Sequence, residues 1–219
     1  MTTGTAMFGF IARKYPIRLA ALGVFAAITG AIALPAVLHA QQLQATFIAV
    51  GGQTLVPYGW VDFCTRYRNE CRTQPLEPKD IRLTRESMRT IERVNRRVNA
   101  AVKPMSDMEQ WGRVDQWDYP TTGYGDCEDY VLFKRYVLMQ KGFPRQALLV
   151  TVVKDERGDG HAVLTVKTDR GEFILDNLND RVLPWESTPY KFVKRQSQSD
   201  PNVWVDIGEP TPAPLVVSR

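Results

Sequence analysis

Apolar residues are distributed along this chain in three ways. From Leu19 to Leu38 they form an almost unbroken run, between residues 84 and 141 they recur at three- and four-residue steps, and beyond Ala147 they alternate or cluster between polar turns. The middle pattern predicts two helices. Thr84 can cap the first, whose apolar face is Met88, Ile91, Val94 and Val98, and Pro104 stops it after about Val102. The second begins near Cys127 and runs to about Lys141. Its buried stripe is Cys127, Tyr130, Val131, Val137 and Leu138, with Lys134, Arg135 and Lys141 toward water. Gly142 and then Pro144 end it.

The last pattern predicts strands over residues 147–154, 161–167 and 172–178, with others near 190–194 and 203–207. Polar, glycine-containing stretches at 155–160 and 168–171 are the turns between them. Residues 41–83 read as irregular, and 105–125 as a long loop rich in Trp and Tyr. Helices followed by a run of antiparallel strands make an α+β domain.

The first apolar run is different in kind. Arg13, Lys14 and Arg18 precede it, and no acidic residue occurs before Asp62. Residues 1–40 therefore read as a signal peptide. Leu38 stands where cleavage prefers a small side chain, and the run is long, so the alternative is an uncleaved N-terminal membrane anchor. Either places the rest of the chain in the periplasm or outside the cell. The domain then occupies residues 41–208, and 209–219, with Pro210, Pro212 and Pro214, is a flexible tail.

Charge changes the picture only slightly. The formal net charge is +4, and the leader holds three basic groups and no acidic one, which leaves +1 for the remainder. Arg85, Arg89, Arg93, Arg96 and Arg97 line one helix and read as a solvated face rather than a nucleic-acid surface. No nucleic-acid partner is expected.

The chemistry comes from counting. There are three cysteines, and an exported chain tends to pair them. Cys64 and Cys71 are close enough in sequence to close a small disulfide loop, which leaves Cys127 as the odd thiol. Cys127 opens a helix, where unsatisfied backbone N–H groups and the helix dipole favour a thiolate and can hold an oxyanion. Of two histidines, His39 lies in the leader, so His161 is the available base. If the hairpin turns on Asp169-Arg170, His161 faces Leu178 and Asp176 is its diagonal neighbour on the same face. Cys127, His161 and Asp176 then form a nucleophile, a general base and an orienting acid. The Cys127 N–H is the first oxyanion donor to consider, and the Trp117 indole a second.

Three blocks also resemble a known family. Gly123-Tyr124-Gly125-Asp126-Cys127-Glu128-Asp129-Tyr130, Gly160-His161-Ala162-Val163-Leu164 and Leu175-Asp176-Asn177-Leu178 resemble the bacterial transglutaminase-like cysteine proteinases, with Asp115, Trp117, Pro120 and residues 59–64 adding to the match. The resemblance implies a papain-like, transglutaminase-type fold, with the nucleophile at a helix N-terminus packed on an antiparallel sheet, and the same three catalytic residues. LapG-type members are periplasmic, calcium-dependent proteases that cut large surface adhesins, release biofilm cells and are sequestered by an inner-membrane cyclic di-GMP receptor. The resemblance therefore implies an endopeptidase with a protein substrate, such as an adhesin, and such a receptor as partner. It implies calcium at Asp126 and Glu128, with Asp129 assisting; carboxylates suit that ion. Amide transfer to an amine, or a catalytically dead binding module, are the alternative uses of the same fold.

Overall fold

The computed structural model describes residues 46–208. The chain divides into two units, Met1–Gln41 and Gln42–Arg219, and the fold described here is that of the second. The predicted leader and the Pro-rich tail lie outside the described residues. No helix among the described residues is long and apolar enough to cross a membrane.

A short strand β1 (Gln53–Thr54) is followed by helices α1 (Tyr58–Arg66) and α2 (Arg68–Cys71). The long helix α3 (Arg85–Ala101) leads through β2 (Lys103–Pro104) to a short helix α4 (Asp107–Trp111). Strand β3 (Tyr124–Gly125) then enters α5 (Cys127–Gln140). The remainder is strands: β4 (Leu148–Lys154), β5 (Gly160–Thr168), β6 (Gly171–Leu175), β7 (Leu183–Pro184), β8 (Lys191–Gln196) and β9 (Trp204–Asp206). They form one antiparallel sheet in the order β1-β9-β8-β4-β5-β6-β7. Helix α5 packs on β5 and α3 packs on α5, so the helix that Cys127 opens is sandwiched between sheet and helix.

Helix α3 forms as its pattern requires. Thr84 accepts from Ser87 N at 3.0 Å and Ser87 Oγ accepts from Thr84 N at 2.8 Å, a reciprocal cap. Ile91, Val94 and Val98 are buried, and the five arginines are exposed.

Three expectations fail, each for a packing reason. Residues 58–71 are helical rather than irregular, because Trp60 and Phe63 are drawn into an aromatic core with Trp117 and Trp204. The Cys64–Cys71 disulfide, with Cα atoms 5.6 Å apart, ties α1 to α2. The long loop before Cys127 contains α4, started by Ser106 and Glu109 in a second reciprocal cap. Lys134 and Arg135 do not face water. Both are buried, because α5 is covered on two sides. The Lys134 ammonium sits 5.8 Å above the Tyr130 ring, and Arg135 reaches Glu70 at 3.7 Å.

Candidate active site

Cys127 is the first residue of α5 and the free cysteine of the chain; it is fully buried. Being first in the helix, its backbone N–H has no intrahelical acceptor. Its Sγ lies 3.1 Å from Glu128 Oε2.

His161 is the second residue of β5 and is also fully buried. Its Nε2 is 2.9 Å from Asp176 Oδ1. Burial disfavours the imidazolium, but hydrogen bonding to Asp176 and to Cys127 outweighs it, and the pKa is pushed up to about 9. With Nε2 committed to Asp176, the nitrogen left for the thiol is Nδ1, which no other group bonds. Sulfur thus has two polar neighbours, the Glu128 carboxylate and the imidazole.

The β5–β6 hairpin explains how His161 and Asp176 meet. Its ladder runs from Thr168↔Gly171 to Leu164↔Leu175, and the same register continued would place Leu178 opposite His161 and Asp176 diagonal to it. The ladder stops at Leu175, however. Beyond it the chain turns, Leu178 swings out to 58% exposure, and its N–H returns to Asp176 Oδ1 at 3.0 Å. Tyr190 donates its hydroxyl to Asp176 Oδ2, and its ring centroid stands 5.4 Å from that of His161. Burial raises the Asp176 pKa, but the hydrogen bonds from His161, Tyr190 and Leu178 outweigh it and hold the carboxyl below the usual range.

Beside Cys127 lies a buried cluster of acids. Strands β2 and β3 pair in parallel, with Lys103 beside Tyr124 and Pro104 beside Gly125, so the segment entering α4 runs alongside the segment entering α5. This brings Asp107 to Asp126, whose Oδ2 accepts from Asp107 N at 3.2 Å. Asp107, Asp126 and Glu128 each offer an oxygen, and these oxygens all lie within 4.8 Å of one another. Asp107 Oδ1, Asp126 Oδ1 and Glu128 Oε1 are buried without a hydrogen-bond donor. Burial, then repulsion from Asp107, pushes Asp126 up to about 7. Burial, followed by the charges on Cys127 and Asp126, raises Glu128 well above its usual range. Three carboxylates that bring an oxygen each this close, and that each keep a buried oxygen without a donor, fit a hard cation.

Two expected site residues sit differently. Asp129 is not in that group: its Oδ1 accepts from Asp118 N at 2.7 Å, and its Oδ2 packs so near Gly125 that a Cβ there would lie 2.6 Å away. The third acid of the cluster is instead Asp107, which sequence spacing does not single out. Trp117 is fully buried and already donates its indole N–H to Asp115 Oδ1 at 2.8 Å, so it has no second proton to offer an oxyanion.

A profile of the bacterial transglutaminase-like cysteine proteinases (BTLCP) matches residues 50–212. Among solved structures, calcium-bound Legionella pneumophila LapG is similar at 23% identity, over 58% of this chain and 74% of that one, with a TM-score of 0.48. A second structure of L. pneumophila LapG is similar at 24% identity, over 54% and 68% of the two chains, with a TM-score of 0.46. No curated protein matches. The helix-borne cysteine on an antiparallel sheet is the α+β, papain-like arrangement expected from the sequence.

Proposed function

Since the chain belongs to the bacterial transglutaminase-like cysteine proteinases and is a cysteine peptidase, we propose that Cys127, His161 and Asp176 are its catalytic triad. The observation that carries this reading is the 2.9 Å His161–Asp176 bond with the buried Cys127 thiol beside the same ring. His161 Nδ1 takes the thiol proton and Cys127 Sγ attacks the scissile carbonyl carbon. The Cys127 N–H at the start of α5 is the donor to the oxyanion in this reading. His161 returns the proton to the leaving amine, which departs as the new N-terminus and leaves a thioester. Water, deprotonated by His161, then attacks the thioester, and the carboxylic product leaves as the thiol is restored. Asp176 keeps the ring oriented and favours its charged form throughout.

Asp107, Asp126 and Glu128 would hold calcium. The ion would offset the carboxylate charge that otherwise opposes a thiolate at Cys127. The buried oxygens without donors support this assignment. The export-type leader supports action in the periplasm, with or without retention of that segment as an anchor. Within the family reading, the substrate is a large surface adhesin whose release ends attachment, and an inner-membrane cyclic di-GMP receptor restrains the enzyme.

Purified residues 41–219 should hydrolyse a protein substrate in calcium and be alkylated at Cys127, and Cys127→Ala should abolish hydrolysis while leaving the fold intact. Retained hydrolysis in that variant would overturn the triad. Incorporation of an added amine in place of hydrolysis would make the protein a transferase instead.

A further inference from the structure

Asp176 lies past the last rung of the β5–β6 ladder, so strand pairing does not hold it. Something else must fix a carboxylate that has to meet His161 within hydrogen-bond distance. Helix α3 supplies it. Asn99 uses both amide hydrogens, donating to the Asp176 carbonyl at 3.0 Å and to Asp180 Oδ1 at 2.9 Å. Asn95, one turn earlier and fully buried, donates to the Asn179 carbonyl at 2.9 Å. The turn over residues 176–180 is thereby pinned at both ends to one face of α3.

The opposite support comes from the nucleophile helix. Lys134 is seven residues after Cys127, two turns along the same face of α5. Its side chain is fully buried and its ammonium makes no hydrogen bond. Burial brings its pKa down to about 7, against the opposing charges of Asp176 and Asp180 at the two ends of the same turn. Apart from the Tyr130 ring 5.8 Å below it, what acts on this amine is the field of those two carboxylates. The electrostatic link therefore runs from the helix that carries the nucleophile to the turn that carries the acid.

We propose that Asn99 and Lys134 are positioning residues of the peptidase, fixing the turn over residues 176–180 so that the Asp176 carboxylate orients His161. Neither touches the reacting atoms; both act through Asp176. The inference rests on the triad reading given above and extends it to α3.

The test uses three variants of the protein in calcium. Asn99→Asp keeps the shape but turns two donors into acceptors facing a carbonyl and a carboxylate. Asn99→Ala removes the bonds without that repulsion, and Lys134→Met removes the charge at similar length. Each should lower kcat on the order of 10- to 100-fold with KM unchanged, because a small displacement of a catalytic group is felt in the chemical step. Asn99→Asp should be worse than Asn99→Ala, an order that a packing role would reverse. The second measurement is the ring N–H proton that His161 shares with Asp176, a downfield NMR signal that does not depend on turnover. It should shift or broaden in all three variants. Unchanged kcat per folded molecule together with an unmoved signal would overturn the proposal. Hydrolysis that survives Cys127→Ala would sink the triad, whereas a signal still altered by Asn99→Asp would leave the positioning of Asp176 standing.

Discussion

Replacing Asp176 by Asn removes one charge and little volume from the pair that it makes with His161. His161 stands at about 9 against a usual 6.5. That difference is about 3 kcal/mol in favour of the imidazolium, shared between Asp176 and Cys127. Burial acts the other way and is the largest single influence on the ring. With the carboxylate gone, only Cys127 opposes it, and the His161 pKa should fall to its ordinary value or below. The proton is held more tightly in the folded than in the unfolded chain, so this stabilisation is fully present below about 6.5 and fades as pH rises through about 9. Unfolding free energy of the native protein should thus drop by up to about 3 kcal/mol across that window. The variant should lack this drop. Residues 41–219 contain one histidine, because the other of the two is His39. A single imidazole signal in an NMR titration therefore reports the pKa directly, and urea melts at several pH values report the linkage. A variant whose histidine still titrates within about half a unit of the native protein would refute the assignment of Asp176 as the orienting charge.

Other outcomes follow from the acid cluster and from the aromatic core. Calcium at about 100 times its Kd should raise stability by about 2.7 kcal/mol over chelator-treated protein, read as a shift in Tm. In calorimetry, Asp107→Asn, Asp126→Asn and Glu128→Gln should each weaken calcium at least about tenfold, since affinity follows the number of charged ligands. Asp129→Asn should matter less, because that carboxylate is turned to Asp118 N; an equal loss there would return Asp129 to the ligand set. Gly59→Ala would put a Cβ 2.2 Å from the Trp117 ring. It should cost about 1–3 kcal/mol in urea unfolding by overpacking, and a neutral result would mean that the ring can yield.

Much of the architecture was legible because it is written locally. Thr84 caps α3, Ile91, Val94 and Val98 mark its buried face, and the polar turn at Asp169-Arg170 sets the register that brings His161 toward Asp176. Cysteine and histidine counts alone single out Cys127 and His161. What could not be read was written at a distance. Asp107 joins the acid cluster only because β2 and β3 run side by side, a parallel pairing of two residues each that leaves no periodic trace. Its one local signal, Ser106 with Glu109, announces a helix start and not a ligand. Lys134 and Arg135 read as solvent-facing because charge on a helix usually is, but α5 is enclosed between α3 and β5. Helix α1 escaped notice because Trp60 and Phe63 hold it through contacts with Trp117, Tyr119 and Trp204, all far along the chain. The sequence pattern carries the strand three residues too far, through Leu178, since the asparagines that hold the turn at Asp176 come from α3.

The burial of Cys127 also bears on how such an enzyme survives while idle. In the periplasm proposed for this protein, oxidising conditions that would keep Cys64 joined to Cys71 would attack an accessible thiolate, capping it with small thiols or driving it toward sulfinic acid. A sulfur with no solvent-exposed surface meets neither. Inactivation by peroxide or disulfide reagents should then be governed by how often the site opens, and a bound peptide would be both the substrate and the event that unseals the thiol.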